Sequence, residues 1–444
     1  MNSYSNMNFE SPVDTRIVDE KMKSLGLMSV GYASIRELVR LVNEIEQSTG
    51  VTYIRMEMGV PGLQPPEVGV KAEIAALEAG VAARYPMLDG LPELKQEISR
   101  FCKLFMNVDV NSGSCLPTVG SMQGAMATFM VANRAHEGRS GTLFIDPGFP
   151  VQKKQLQALG QHYASFDVYN YRGVRLRDAL EEQLQSGKFS SILYSNPNNP
   201  SWICFTELEL QIIGELADKY DLIVIEDLAY FGMDFRHNYG VPGQTPYQPT
   251  VARYTDNYVF LISSSKAFSY AGQRIGSLVI SDRLFEREFA DLEPWYNTRQ
   301  YGYASIFGAL YTLSSGVSHS AQYGLAAMFR AANEGTFDFL NEVAVYGTRA
   351  KLMKRLFINN GFTIVYDRDD EAPLADGFYF TFAYPGMSGE ELLGKLICFG
   401  ISAIALETTG SERTEGLRAC VSQVSDAQLS VLEKRLQQFH NCFG

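Results

Sequence analysis

The segment SSSKAFSYAGQRIG sets one lysine, Lys266, after the serines Ser263, Ser264 and Ser265, and places Arg274 eight residues further on, just before Gly276. Serine hydroxyls and a guanidinium are good ligands for a doubly charged phosphate. A lysine in a partly desolvated pocket loses basicity and becomes nucleophilic toward an aldehyde. Read alone, the same residues also fit a polar loop with solvated charges. A second segment, DLIVIEDLAYFG, delivers Asp227 to the end of an apolar run and sets Tyr230 three residues on. A buried carboxylate without a partner is costly, so Asp227 requires one. A protonated pyridine nitrogen would serve, and the pairing would keep the ring cationic so that it absorbs the electrons of a carbanion. An exposed loop aspartate or a helix N-cap is the plainer alternative.

Residues of this kind need a scaffold, and its rhythm is clearest in the middle of the chain. Short apolar runs recur at 142–146 (TLFID), 190–195 (SSILYS), 221–227 (DLIVIED), 258–263 (YVFLIS) and 276–281 (GSLVIS), each of a length suited to a buried strand. Helical patterns separate several of them. In SMQGAMATFMVANRA, for example, Met122, Ala125, Met126, Phe129 and Met130 fall on one face. The alternation predicts an α/β fold, a mainly parallel sheet with helices on both faces. Ligands of such sheets gather beyond the carboxyl ends of the strands, where Asn199, Asp227 and residues 263–266 stand. Residues 282–335 read as mainly helical, and beyond them GFTIVYD, GFYFTFAYP and LRACVSQV read as strands of a smaller α+β domain. The first sixty residues are too few for a core of their own and are expected to pack with that tail. The expected division is a large domain over 61–329 and a small one made of 1–60 and 330–444.

With these residues in place the chain resembles the class I and II aminotransferases, pyridoxal-phosphate enzymes sharing the fold of aspartate aminotransferase, over nearly its whole length. In that family a strand-end Asp bonds the pyridine nitrogen and a Tyr three residues later bonds the ring hydroxyl. The Schiff-base Lys lies in a serine-rich loop with a phosphate-binding Arg eight residues beyond. Asp227, Tyr230, Lys266 and Arg274 match in order and local spacing. The resemblance therefore implies pyridoxal 5'-phosphate on Lys266, with Ser263 and Ser265 joining the cofactor-binding set.

Further positions follow from the same likeness, each with a plainer reading beside it. In PTVGSMQGAMAT, a glycine precedes an amphipathic helix, and free amides there form an anion site. The likeness assigns Gly120, Ser121 and Met122 to the phosphate loop, although a glycine at a helix start also serves as a cap. In IDPGFPVQ, Phe149 stands where the family lays an aromatic ring on the pyridine face; ordinary packing would account for it equally. YSNPNNPSW assigns Asn199 to the family's Asn-Pro-Thr-Gly turn, but Ser201 and Trp202 replace the Thr and Gly. In RYPMLDGLPELKQEI, Tyr85 matches the tyrosine that reaches the phosphate of the neighbouring subunit, which implies a homodimer with shared active sites. In EGLRACVSQV, Arg418 matches the arginine that holds the substrate α-carboxylate through a bidentate fork. Gly59, in IRMEMGVPG, matches the glycine that lets backbone approach the substrate and otherwise reads as a turn.

The resemblance implies an aminotransferase that passes an amino group from an amino acid to a 2-oxo acid, with Lys266 as both anchor and proton shuttle. A lyase or decarboxylase on the same fold stays open, since the same carbanion can eject a β-substituent. So does a non-catalytic pyridoxal-phosphate-binding regulatory protein, although no DNA-binding segment is visible. The side chain of the substrate is unspecified. In dicarboxylate-specific relatives a second arginine grips the distal carboxylate, whereas DLEPWYNTRQ sets Glu293 at the matching site, with Arg299 nearby. Trp295 and Tyr296 then favour a neutral or aromatic substrate. The 444 residues carry a formal charge of -12 with 38 basic and 50 acidic residues and no long single-sign run, which argues against nucleic acid or an anionic membrane as partner. Six scattered cysteines without a CxxC pair, and five histidines without ligand spacing, indicate neither a disulfide framework nor a metal site. The polar N-terminus and the lack of a long apolar run point to a cytoplasmic protein.

Overall fold

The computed structural model describes residues 10–444; the polar start of the chain, residues 1–9, lies outside the described residues. By its internal contacts the chain divides into two compact units. The larger holds Leu63–Asn198 and Cys204–Val343; the smaller holds residues 10–62, the short stretch Asn199–Ile203, and Ala344–Gly444.

Seven strands form the sheet of the larger unit: β1 (Cys115–Thr118), β2 (Gly141–Asp146), β3 (Tyr163–Asp167), β4 (Phe189–Ser195), β5 (Ile223–Leu228), β6 (Tyr258–Ser263) and β7 (Gly276–Ile280). Their order is β1-β7-β6-β5-β4-β2-β3, and every neighbouring pair is parallel except those made by β7. The expected mainly parallel sheet is present. Strands β4, β5 and β6 are buried along their full length, which explains their near-continuous apolar runs: a strand covered on both faces has no solvent side on which to alternate. Two strands carry little sequence signal. β1 is four residues long and contains a proline, and β3 is a half-exposed edge strand. The helix Gly120–Ala132 packs its small face on the sheet, and a Cβ at Gly124 would already touch Leu261 at 3.1 Å. Within the helical stretch that follows the sheet, Ala304–Leu310 winds as a π-helix and leaves Tyr303, Phe307 and Tyr311 exposed along one side.

The smaller unit is built on β8 (Thr363–Ile364), β9 (Tyr379–Ala383), β10 (Ile404–Ala405) and β11 (Leu417–Cys420), an antiparallel sheet in the order β10-β11-β9-β8. The helices Ile35–Thr49, Val345–Asn359, Gly389–Cys398 and Asp426–Phe443 belong to it. Phe357, Phe362, Phe382 and Phe439 form an aromatic core between sheet and helices. The N-terminal residues are stitched into this unit by Ile54–Arg55, which pairs parallel with Ile401–Ser402.

Candidate active site

In the larger unit the chemistry-bearing residues collect at one edge of the sheet. Asp227 is the fifth residue of β5, level with Ser195 of β4 and Leu261 of β6. Three residues past the end of β6, Lys266 sits on the single helical turn Ser264–Ala267. Ser263 caps that turn by accepting from the amide of Ser265 at 3.1 Å. Because β4, β5 and β6 run parallel, the ends carrying Asn196, Asp227 and Lys266 share an edge.

The Asp227 carboxylate is buried, with 6% of the residue exposed. Gln152 Nε2 donates to its Oδ2 at 2.8 Å and the Ala229 amide to its Oδ1 at 3.1 Å. Both donors are neutral. Burial pushes the Asp227 carboxyl up to about 6, and those two hydrogen bonds only partly offset it. A group held this way suits a cation that arrives with a ligand. Its neighbour Glu226 points to the other face of the strand and is pushed by burial to about 7, tempered by the Thr250 hydroxyl at 2.6 Å and the Val251 amide at 3.1 Å. Tyr230 is 4% exposed, one short turn beyond Asp227.

The phosphate-type features converge as well. Gly120 has φ +67°, and a Cβ placed on it would lie 2.8 Å from Nη2 of Arg274, so the guanidinium occupies the space the missing side chain leaves. Gly276 backs the same loop: its Cβ would meet the Ser121 amide at 3.1 Å. Arg274 also donates to the Ala271 carbonyl at 2.8 Å and remains exposed. A guanidinium set over the first amides of the thirteen-residue helix Gly120–Ala132 is an anion cradle, and a phosphate monoester fits it. Met122 follows in that first turn, its carbonyl held by Gln155 at 2.8 Å. Phe149 caps the helix Pro150–Ala158, one turn before Gln152, and is half-buried. Gln152 is the residue of this half that carried no sequence expectation.

Not every expected residue joins the cluster. Tyr85 is 93% exposed. Glu293 forms an exposed ion pair with Arg299 at 2.7 Å, and Trp295 lies over Arg134, whose guanidinium carbon is 4.1 Å from the indole centroid. Tyr296 donates to the Met130 carbonyl at 2.6 Å and accepts from Arg134 at 2.9 Å.

The smaller unit holds a buried charge of the opposite sign. Arg418 of β11 is 3% exposed, yet among the described residues it has no carboxylate partner. Its Nη1 donates to Asn199 Oδ1 at 3.3 Å and its Nη2 to the Glu57 carbonyl at 2.5 Å, while Nε has no acceptor. The Glu57 carboxylate is already committed to Arg55 at 2.7 Å and to the Ser402 hydroxyl at 2.5 Å. The guanidinium carbon lies 4.5 Å from the centroid of Tyr379, on the ring face. Tyr379 in turn explains Gly59, where a Cβ would stand 2.0 Å from the tyrosine hydroxyl. A buried guanidinium with an idle Nε is an anion-binding group, and its fork matches a carboxylate.

The altered turn is resolved in the same unit. Trp202 is fully buried and adopts φ +67°, a left-handed conformation that costs a bulky residue about 1–2 kcal/mol. The backbone geometry that a glycine would take there is kept, and the indole is accommodated by Gly377, whose Cβ would lie 2.0 Å from the ring.

A family model described as aminotransferase class I and II matches residues 52–436. A probable aspartate aminotransferase of Methanocaldococcus jannaschii is 24% identical over 370 residues, 82% of this chain and 86% of that protein. The LL-diaminopimelate aminotransferase of Natranaerobius thermophilus is 27% identical over 248 residues, 54% of this chain but only 60% of that protein. Among solved structures, an alanine aminotransferase from Pyrococcus furiosus is similar with a TM-score of 0.74 at 19% identity, covering 93% of this chain and 97% of the other. A double mutant of Thermus thermophilus aspartate aminotransferase gives 0.72 at 14% identity over the same shares. These structural likenesses are of fold.

Proposed function

This chain belongs to the class I and II aminotransferase family, whose members are pyridoxal-phosphate-dependent transaminases, and from that premise we propose that Lys266 carries the cofactor covalently and serves as its proton shuttle. When bound, the cofactor supplies an aldehyde that captures amines and a cationic ring that draws electrons from the substrate's Cα–H bond. Asp227 holds the ring nitrogen protonated, and Gln152 and the Ala229 amide hold Asp227. Arg274, Ser263, Ser265 and the backbone at Gly120, Ser121 and Met122 take the phosphate. Tyr230 and Asn199 would donate to the ring oxygen, and Phe149 would pack against the ring. Arg418 takes the α-carboxylate of the amino acid, with Gly59 leaving room beside it. The Lys266 Nζ, as a free amine, would be the group that takes up and returns the substrate's Cα proton. The observation that carries this reading is the buried Asp227 carboxylate held by neutral donors alone, a poor arrangement for an empty protein and a good one for a pyridinium.

In this reading the larger unit is the cofactor domain and the smaller one the substrate-closing domain. The substrate side chain is neutral or aromatic, since Glu293 occupies the expected arginine site and Arg299 is paired to it. Tyr85 reaches the phosphate of a second subunit in a homodimer. Its exposure, together with that of Met87, Tyr303, Phe307 and Tyr311, supports a face covered by another copy. The location is cytoplasmic, in keeping with six free cysteines, and no helix among the described residues is long and apolar enough to cross a membrane. The test is a half-reaction screen. Protein loaded with pyridoxal phosphate is mixed with single amino acids, and the visible band should give way to the pyridoxamine form with release of one equivalent of 2-oxo acid. Release of ammonia or carbon dioxide instead would replace transfer by elimination or decarboxylation.

A further inference from the structure

Trp202 packs against Tyr379, one of the groups that hold Arg418. The stretch Asn199–Ile203 belongs to the smaller unit, and the Trp202 indole within it is fully buried. The indole meets the ring of Tyr379 edge-on, with centroids 6.1 Å apart and planes at 71°. It also fills the space over Gly377, two residues before Tyr379 on the same chain. Tyr379 presents its face to the Arg418 guanidinium, and Asn199, three residues before Trp202, accepts from Arg418 Nη1. Of the groups that orient the guanidinium, Tyr379 packs on the indole and Asn199 lies in the same turn as Trp202. The third, the Glu57 carbonyl, comes from a separate segment.

A left-handed conformation at a tryptophan is unfavourable, and a glycine would adopt it freely. The chain retains the conformation and the large ring together, which ties the indole to something the ring does. From this we propose that Trp202 is a positioning residue for carboxylate recognition. It locks Asn199 and Tyr379 against Arg418 so that the fork, with its idle Nε, is preassembled for the carboxylate of an incoming ligand. The inference rests on the reading of Arg418 given above and adds what sets its orientation. Preassembly matters because a flexible arginine loses rotamer freedom on binding, whereas one already fixed by a ring face and an amide does not.

The experiment uses the pyridoxal-phosphate-loaded full chain and two carbonyl reagents that differ by one carboxylate, aminooxyacetate and O-methylhydroxylamine. Each discharges the visible band of the lysine-bound cofactor, so the ratio of their second-order rates reports carboxylate recognition without reference to the natural substrate. Trp202→Gly, which suits the backbone, should lower that ratio about tenfold or more while leaving the O-methylhydroxylamine rate within about twofold. Tyr379→Leu should do the same without altering the turn, and Trp202→Phe should restore most of the ratio because an aromatic ring remains. A ratio unchanged in Trp202→Gly and Tyr379→Leu, with Arg418→Ala losing it, overturns the inference and spares the reading of Arg418. Equal slowing of both reagents in Trp202→Gly also overturns it, as a general structural effect. A ratio unchanged in Arg418→Ala overturns both.

Discussion

Replacing Asp227 by asparagine should stabilise the cofactor-free protein while weakening its hold on the cofactor. Burial raises the Asp227 carboxyl from 3.8 to about 6, so above that pH the folded state carries an ionised group that water would hold more favourably. At about 1.4 kcal/mol per pH unit, the ionised carboxylate costs the fold about 3 kcal/mol at pH 8. The substitution removes that cost. The raised value already contains the Gln152 and Ala229 hydrogen bonds, so the gain is about 3 kcal/mol. With an unfolding entropy of about 2.1 cal/mol/K per residue over the larger unit, the gain in Tm is about 5 °C. The pH dependence has a definite sign. A raised folded pKa contributes stability that is present below the unfolded value and lost as pH rises through the folded one, so the advantage of Asp227→Asn should be full at pH 8 and vanish toward pH 4. The assay is differential scanning calorimetry of cofactor-free protein across that range, with the visible band recorded on reloading. A variant less stable than the parent at pH 8, or equally stabilised at pH 4 and pH 8, would mean that the ionised Asp227 carboxylate does not burden the fold.

Glu226→Gln should flatten the pH dependence of stability further, because burial holds that carboxyl near 7; a calorimetric profile still falling steeply from pH 5 to pH 8 in the double variant with Asp227→Asn would count against it. Gln152→Leu removes the donor at 2.8 Å from Asp227 and should cost the cofactor-free protein about 1–3 kcal/mol, lowering turnover of the loaded enzyme about tenfold without raising KM, as steady-state kinetics would read. Gly120→Ala introduces a Cβ 2.8 Å from the Arg274 guanidinium at φ +67°, so affinity for pyridoxal phosphate should fall about tenfold by titration, whereas Gly113→Ala, in open space, should leave it unchanged.

The site was legible in the sequence where chemistry coincides with a strand end. Asp227 and Lys266 follow apolar runs long enough to read as buried strands, and parallel strands carry their ends to one edge. Arg274 and Gly120 were legible as types, and their approach to one another needed the antiparallel turn from β6 into β7. Gln152 left no trace, since a polar residue on a short helix bears no mark of the direction it faces. The same holds for Tyr379, which reaches Arg418 diagonally across β9 and β11, where the residue directly opposite is Thr381. Trp202 was visible as a departure from the family's turn, but its place beneath Tyr379 depends on Gly377, a contact 175 positions distant in sequence. Among the strands, β1 and β3 were too short or too exposed to declare themselves.

Whether Lys266 carries the cofactor is read by loading the protein with pyridoxal phosphate, reducing it with borohydride, and mapping the modified peptide by mass spectrometry. One phosphopyridoxyl group per chain is expected, on Lys266 of the SSSKAF segment, and none after Lys266→Ala. Stoichiometric modification of a different lysine, with Lys266 unmodified, would contradict it.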